Sequence, residues 1–338
     1  MTSTQGMQKA TFRLTAVTNQ GWRSAGVAER SAKKVVYSGL IANIAIAISK
    51  YFAAALTGSS AMLAEAFHST ADAGNELLLL VGIKRSLRPP DALHPYGHGK
   101  VLYFYSLLVA VYIFGVGGLL AIARGVSHLR HPQPSSHAAW NYAVLALSAA
   151  LDFYSWRVSY RELFSRKDPD ESIWDEIIGG KDPTIFTVFL EDSAGLIGTF
   201  LAFLAIFLGH MLGNPYLDPL ASILIGVLLA AIAVFLGRES GALLIGERTN
   251  RARIRRVCEV LLADPAVERV GDLLTMQLGP DQVLLNVDIQ FRKGLDLPQL
   301  EGAIDRIEAN IRKVEPTIQR IFIEAESFKR SDQRSQAA

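Results

Sequence analysis

Six apolar segments constrain the fold of this 338-residue chain more than any other feature of its sequence. Each segment is close to the ~20 residues that a helix needs to cross the hydrocarbon core of a bilayer. Six crossings would leave both ends of the chain on the same side of the membrane. The sequence therefore predicts an all-α six-helix transmembrane domain, with spans at 35–57, 61–83, 101–126, 138–158, 185–209 and 216–236.

The composition agrees with a membrane protein and narrows its chemistry. Half of the residues are hydrophobic and the net charge is only +2, which excludes disordered, collagen-like and disulfide-framework proteins. The one cysteine, Cys258, cannot form an intrachain disulfide or a cysteine-based metal site. Any metal chemistry must therefore use histidines and carboxylates.

The basic residues predict how the chain is oriented. Lysines and arginines concentrate before the first span, between the second and third spans, and between the fourth and fifth spans. The positive-inside rule places these segments in the cytoplasm. We therefore expect a multi-pass protein with both termini cytoplasmic, in a membrane of the bacterial inner (plasma) type.

The pattern changes after Arg238, where alternating charged and apolar residues replace the apolar runs. Helical and strand periodicities follow in the order αββαβ, which predicts a cytoplasmic α+β ferredoxin-like domain. The predicted units are a polar N-terminal tail (1–34), the transmembrane domain (35–240), the cytoplasmic domain (245–328) and a disordered tail (329–338).

Two ionisable residues in the second span, His68 and Asp72, indicate a metal or proton site. Residues four apart lie on the same helix face, so the imidazole and the carboxylate can share a divalent cation. A charged residue near the helix centre costs roughly 2–3 kcal/mol, which a bound metal or an exchangeable proton would offset. Spacing alone leaves a second interpretation open, in which the two residues are only a hydrogen-bonded polar pair within the bundle.

Two adjacent acids, Glu191 and Asp192, enter the fifth span. If this span packs against the second, Asp192 completes a His/Asp/Asp set that suits Zn²⁺ and tolerates Mn²⁺, Fe²⁺ or Co²⁺. Gly195 and Gly198 would permit the close helix approach that this packing needs.

Further polar residues in the spans have both structural and functional interpretations. Lys50 lies midway through the first span, and we expect it to form a structural ion pair with an intramembrane acid. Asn75 and Glu65 lie on the second span with the predicted site, where Asn75 could orient a ligand through a hydrogen bond. Asp152 and Asp218 could relay protons, but each is near a predicted span end, so helix capping or solvation at the membrane interface is an equal alternative.

Several motifs resemble the cation diffusion facilitator family. These are GSSAMLAEAFHSTAD at 58–72, HPYGHGK at 94–100 and NPYLD at 214–218, and the resemblance extends from about 35 to 326. LEDS at 190–193 and KDPT at 181–184 are similar to the branch of that family that contains the mitochondrial zinc exporter. The resemblance implies a homodimeric metal/proton antiporter that moves a divalent transition metal, usually zinc, out of the cytoplasm.

The family's metal ligands carry over only in part. Its second-span HxxxD motif falls on His68 and Asp72, and its fifth-span aspartate falls on Asp192. Where most members have His or Asp four residues earlier, this chain has Val188, which cannot bind metal. Glu191 is the nearest candidate for a fourth ligand, and a bound water is the alternative. Fewer nitrogen ligands favour harder ions, so we expect less strict zinc selectivity.

The C-terminal domain also departs from the family, because no histidine follows His210. The resemblance implies regulatory zinc sites there, so we expect this domain to dimerise without a strong zinc site.

Taken together, these patterns predict a proton-coupled efflux transporter that works by alternating access, with metal ions and protons as substrates, no cofactor and no nucleic-acid partner. The alternatives are a non-transporting metal-binding membrane scaffold and an intramembrane metalloenzyme. The enzyme has little support, because the chain contains neither an HExxH nor a GxSxG motif.

Overall fold

A computed structural model describes Leu40 and residues 43–130, 138–166 and 182–325. The predicted polar tails (1–34 and 329–338) and the start of the first predicted span lie outside these residues. Six helices occupy the described part of the first 245 residues: α1 (Asn43–Thr57), α2 (Ser60–Ser86), α3 (Val101–Arg130), α4 (Ala138–Arg166), α5 (Pro183–Leu212) and α6 (Leu217–Ile245).

Local sequence signals set the ends of the two helices that carry the predicted metal ligands. The Ser59 side chain caps α2 by accepting a hydrogen bond from the Met62 N–H. Asp182 caps α5 in the same way through the Thr184 N–H, with Pro183 at the first helical position. α5 ends at Gly213, whose φ of 62° is the left-handed conformation that glycine adopts at helix C-termini.

Three helices, α3, α5 and α6, are long and apolar enough to cross a membrane among the described residues. The helices extend beyond several predicted spans: α3 ends four residues later than 126, α4 eight residues later than 158, and α6 nine residues later than 236. Hydropathy detects only the apolar part of a helix, whereas backbone hydrogen bonding continues through polar residues beyond it.

Glycines bring α3 and α6 into close contact. Residues Ile113–Leu119 form a π-helical stretch within α3. A Cβ at Gly118 would lie 3.1 Å from the Ala230 Cβ, and a Cβ at Gly226 would lie 2.7 Å from the Gly118 carbonyl oxygen. Such small residues let helix backbones approach one another where apolar surface alone does not drive association.

The rest of the chain forms a small α+β unit: α7 (Arg251–Ala263), β1 (Val267–Gly279), β2 (Gln282–Phe291), α8 (Leu297–Val314) and β3 (Ile318–Ala325). This is the predicted order αββαβ. β1 pairs with β2 antiparallel, and β2 pairs with β3 parallel. Alternate residues of β2 are fully buried and pack against apolar residues of both helices: Val283, Leu285, Val287 and Ile289.

The turn between β1 and β2 contacts the loop that precedes α3. The end of α6 contacts both parts: the Gln277 N–H of β1 donates to the Glu247 carbonyl oxygen at 3.0 Å, and the Lys100 Nζ of the loop lies 3.5 Å from the Leu244 carbonyl oxygen. A Cβ at Gly99 would overlap the Leu278 carbonyl group and lie 3.0 Å from the Gly279 Cα. The hairpin therefore docks on this loop through direct backbone contact.

Gly99→Ala should loosen this docking, because overpacking a close contact costs ~1–3 kcal/mol. Hydrogen exchange of residues 277–281 is expected to become about tenfold faster or more. Gly302→Ala is the matched control, because a Cβ there, on α8, meets nothing within 4 Å. Equal exchange in wild type and Gly99→Ala would show that the backbones are not in contact.

Candidate functional site

His68 and Asp72 form the centre of the candidate site on α2. Nδ1 of His68 lies 3.5 Å from Oδ1 of Asp72, and His68 is only 3% exposed. α5 approaches the imidazole closely, because a Cβ at Gly195 would lie 2.8 Å from Nε2 of His68. The predicted packing of the fifth span against the second is therefore present, and it depends on glycine at this position.

The two adjacent acids of α5 have different partners. Asp192 accepts hydrogen bonds from Ser155 at 3.0 Å and Ser159 at 2.7 Å, both on α4. Glu191 is buried and accepts a hydrogen bond from Asn75 on α2 at 2.6 Å. The structure thus directs Asp192 toward α4 and Glu191 toward α2, as expected for neighbouring residues that are about 100° apart around a helix.

The intramembrane set is not closed around one point in this conformation. In the described ranges, three ligand atoms of His, Cys, Asp or Glu lie within 4.8 Å of one another in one group only. That group is in the loop before α3 and not among the intramembrane residues. For Asp192 to join His68 and Asp72 on one ion, its carboxylate would have to leave its two serine partners.

Lys50 forms the predicted intramembrane ion pair, and its partner is Glu65. The Lys50 Nζ and Glu65 Oε2 atoms are 2.9 Å apart, and both residues are fully buried. The same Glu65 oxygen accepts a hydrogen bond from Thr199 of α5 at 3.0 Å. Glu65 therefore neutralises Lys50 and joins α1, α2 and α5 beside the candidate site.

Asp152 is not positioned to cap its own helix, which was one of its interpretations. It lies at the centre of α4, because that helix continues through polar residues to Arg166. Asp152 accepts a hydrogen bond from Ser148 at 3.0 Å and lies 3.4 Å from the Thr199 hydroxyl. The Asp152 carboxylate therefore lies close to Glu65, because both are near the Thr199 hydroxyl at the level of His68.

Asp218 has the capping role that was one of its two interpretations, although the helix it caps is not its own. It lies in the first turn of α6 and accepts hydrogen bonds from the Ser60 N–H at 2.6 Å and the Ser60 hydroxyl at 2.7 Å. The Ser59 hydroxyl also donates to it. Asp218 thereby binds the N-terminus of α2, where a negative charge is favourable.

The loop group consists of Asp91, His94 and His98. The Asp91 carboxylate accepts hydrogen bonds from the N–H groups of His94 at 2.7 Å and Leu93 at 2.9 Å. These bonds, with the His94 backbone bond the strongest, lower the pKa of Asp91. His94 and His98 lie 3.1 and 3.5 Å from the two carboxylate oxygens. Two nitrogens and one oxygen form a donor set that suits Zn²⁺.

Asp91, and with it the full group, was not among the residues predicted to bind metal. The signal that could have found it is the spacing D-x-x-H-x-x-x-H over 91–98. A turn in which the Gly97 N–H donates to the His94 carbonyl oxygen at 2.9 Å folds the two imidazoles toward Asp91, and the His94 and His98 rings have centroids 4.4 Å apart.

Asp91→Ala should remove one bound Zn²⁺ per chain, because two histidines alone do not complete a zinc site. Because hydrogen bonds lower the Asp91 pKa, its carboxylate stays ionised as the pH falls from about 7 to about 5. Loss of zinc in that range is therefore not expected to result from protonation of Asp91. Equilibrium dialysis of the purified protein measures both effects, and Asp281→Ala in the β1–β2 turn is a matched control. Unchanged zinc stoichiometry in Asp91→Ala would contradict the loop site.

Residues 36–245 match the family model described as the cation efflux transmembrane domain. A human protein named "Proton-coupled zinc antiporter SLC30A9, mitochondrial" is 32% identical over 270 residues, which are 80% of this chain and 48% of that protein. The chain thus spans about half the length of the zinc antiporter relatives. "Magnetosome protein MamM" of Paramagnetospirillum magneticum is 26% identical over 89% of this chain and 90% of its own length. "Manganese efflux system protein MneP" of Bacillus subtilis is 22% identical over 85% of this chain and 95% of its own length.

Proposed function

Because this chain belongs to the cation efflux family of integral membrane transporters, we propose that it exports a divalent transition-metal cation, zinc foremost, in exchange for protons. The observation that carries this proposal is the contact between the buried His68 and the half-buried Asp72, which lies in the matched region with further acids around it. The family consists of transporters and not enzymes, so the metalloenzyme alternative is not favoured.

The proposed ion site consists of His68, Asp72 and Asp192. The 3.5 Å separation of the first two supports a shared ion, and the close approach of α5 at Gly195 supports a contribution from Asp192. Rotation of the Asp192 side chain away from Ser155 and Ser159 would bring the third ligand to the ion. A water then completes tetrahedral coordination, because Glu191 is engaged by Asn75.

Proton coupling follows from the ligand chemistry. A divalent ion binds to ionised carboxylates and a neutral imidazole, so metal and protons compete for the same atoms. With the site open to the cytoplasm, metal binds and neutralises the acids. After the bundle rocks to expose the site on the other side, protons displace the metal, and the protonated site returns. The name of the human relative, a proton-coupled zinc antiporter, agrees with this cycle.

The metal range is proposed to include harder ions than zinc. Val188 offers no ligand, so His68 contributes the only nitrogen to the set. One nitrogen with carboxylate oxygens suits Mn²⁺, Fe²⁺ and Co²⁺ as well as Zn²⁺. One relative is named for manganese efflux, which supports this broader range.

We propose that both termini and the αββαβ unit (245–328) lie in the cytoplasm and that this ferredoxin-like unit holds two chains together. The basic connections support the orientation. The sheet face away from α7 and α8 exposes large apolar side chains, Leu274 at 62% and Phe322 at 48%, which supports a dimer contact. A bacterial-type inner membrane is the proposed location of the transmembrane domain (35–240).

Flux in proteoliposomes tests the proposal. Zn²⁺, Mn²⁺, Fe²⁺ and Co²⁺ are supplied separately, with and without a pH gradient, and uptake is compared with that of protein-free vesicles. Metal flux that the gradient accelerates is the expected result. Metal binding without flux of any ion would instead favour the scaffold alternative, and flux indifferent to the gradient would remove proton coupling.

A further inference from the structure

Three polar side chains next to the proposed ion site have no role in it: Asn75 and Glu76 on α2 and Glu191 on α5. The Asn75 Nδ2 atom donates to Oε1 of Glu191 at 2.6 Å. Glu76 accepts a hydrogen bond from Asn43 Nδ2 of α1 at 3.1 Å. Because Glu76 is four residues after Asp72, these groups lie one helical turn from the ion site, toward the C-terminal end of α2.

Two buried oxygens at this level have no hydrogen-bond donor among the described residues. Asn75 is fully buried, and its Oδ1 atom is unpartnered. The Oε2 atom of Glu76 is also buried and unpartnered. Buried polar atoms are nearly always paired in proteins, and Asn75 holds its amide directly against the Glu191 carboxylate. One amide oxygen and one carboxylate oxygen at this level therefore lack the donor or cation that buried oxygens normally contact.

The charged groups that act on Glu191 at the level of Asn75 and Glu76 are all carboxylates. The strongest electrostatic influences on the Glu191 carboxylate, apart from burial itself, come from Asp72, Asp192 and Glu76. The nearby cation Lys50 is bound to Glu65 on the far side of the His68 level. Buried carboxylates are stable only when they are protonated or paired with a cation. An unpartnered amide oxygen beside them favours the cation, because amide and carboxylate oxygens together are typical ligands of hard divalent ions.

We propose that Asn75, Glu76 and Glu191 coordinate a divalent cation at a second position, through which the transported ion reaches or leaves the His68–Asp72 pair; this inference rests on the proposed function. The second position has only oxygen ligands, so it suits Mn²⁺ and similar hard ions, whereas the first also has an imidazole nitrogen. Glu191 is thereby assigned to the second position and not to the fourth ligand place of the first.

Mn²⁺ binding to the purified full-length protein, measured by electron paramagnetic resonance, tests this position directly. All samples carry Asp91→Ala, which disables the loop group, and His68→Ala with Asp72→Asn, which disables the first position. One Mn²⁺ per chain is expected to remain. Adding Glu76→Gln or Glu191→Gln should weaken its binding by at least about tenfold, and Glu76→Asp should recover part of it. Absence of bound Mn²⁺ in the parent sample, or its persistence in Glu76→Gln, would overturn the proposal.

A structural role of Glu76 is separated by Asn43→Ala. This change removes the hydrogen bond between α1 and Glu76 but leaves the carboxylate, so Mn²⁺ binding is expected to weaken less than it does in Glu76→Gln. A loss as large as that in Glu76→Gln would assign the effect to the α1–α2 contact and overturn the proposal.

Transport provides the second readout, in protein with the first position and the loop group intact. Glu76→Gln is expected to reduce Mn²⁺ flux by about tenfold. Normal flux in Glu76→Gln, with transport otherwise established, would overturn the second position while the proposed function stands. Absence of flux in wild type would contradict the proposed function, and the Mn²⁺ titration would still decide whether the second position exists.

Discussion

Asp72→Asn is expected to abolish metal flux in proteoliposomes while leaving the protein folded. The substitution keeps the size of the side chain but removes the charge that would hold a divalent ion next to His68. Loss of groups that merely orient a metal ligand already costs about 10–100-fold in affinity or activity, so loss of the ligand itself should reduce flux by more than about 100-fold. His68→Ala is expected to have a similar effect, because it removes the only nitrogen ligand.

The matched control for this result is Asp272→Asn. Asp272 is exposed on β1, far along the chain from the helices, so the same chemical change there should leave flux unaltered. Elution volume and thermal unfolding should be the same for wild type and all three variants. Wild-type flux in Asp72→Asn would remove this residue from the ion site and leave the pair with the purely structural interpretation.

Lys50→Met should be the most destabilising single substitution of a charged residue in the helical bundle. It leaves the Glu65 carboxylate fully buried without its cation, and breaking one side of a buried ion pair typically costs ~3–5 kcal/mol. Thr199 still donates one hydrogen bond to Glu65, which does not neutralise the charge. Thermal unfolding in detergent is expected to show a large loss of stability.

The double variant Lys50→Met with Glu65→Gln tests whether charge is the cause. Replacing both members of a buried pair with neutral groups of similar volume is often nearly neutral, so most of the lost stability should return. Lys84→Met is the control, because Lys84 is exposed at the end of α2 and should change stability by less than about 0.5 kcal/mol. A double variant as unstable as Lys50→Met would show that Lys50 acts through packing and not through its charge.

Comparison of these residues shows which parts of the site local sequence could predict. His68 and Asp72 are four residues apart on one helix, so helical geometry alone brings them together. The group of Asp91, His94 and His98 is equally local, and its spacing could have been recognised. In both cases the contact depends on a single turn of chain.

Contacts between helices were less predictable. The sequence indicated that Lys50 needs an acid, but several acids lie in the spans, and only the packing of α1 against α2 selects Glu65. Asp152 lies near the end of the predicted fourth span (138–158), whereas α4 continues to Arg166 and places this residue at the centre of the helix. Glu191 and Asp192 were both candidate ligands, and the rotation of α5 directs the first to Asn75 and the second to the two serines of α4.

The sequence by itself determined the apolar helices, the pairing of His68 with Asp72 and the order αββαβ of the C-terminal unit, because each depends on a repeat of 3.6 or 2 residues along the chain. The tertiary structure alone decided that Asp218 caps α2 from the start of α6, that Gly195 makes room for the imidazole, and that the intramembrane acids face different partners. A local period specifies which side chains share a face. The angle and rotation at which two helices pack are set by side chains far apart in sequence, and they decide what that face meets.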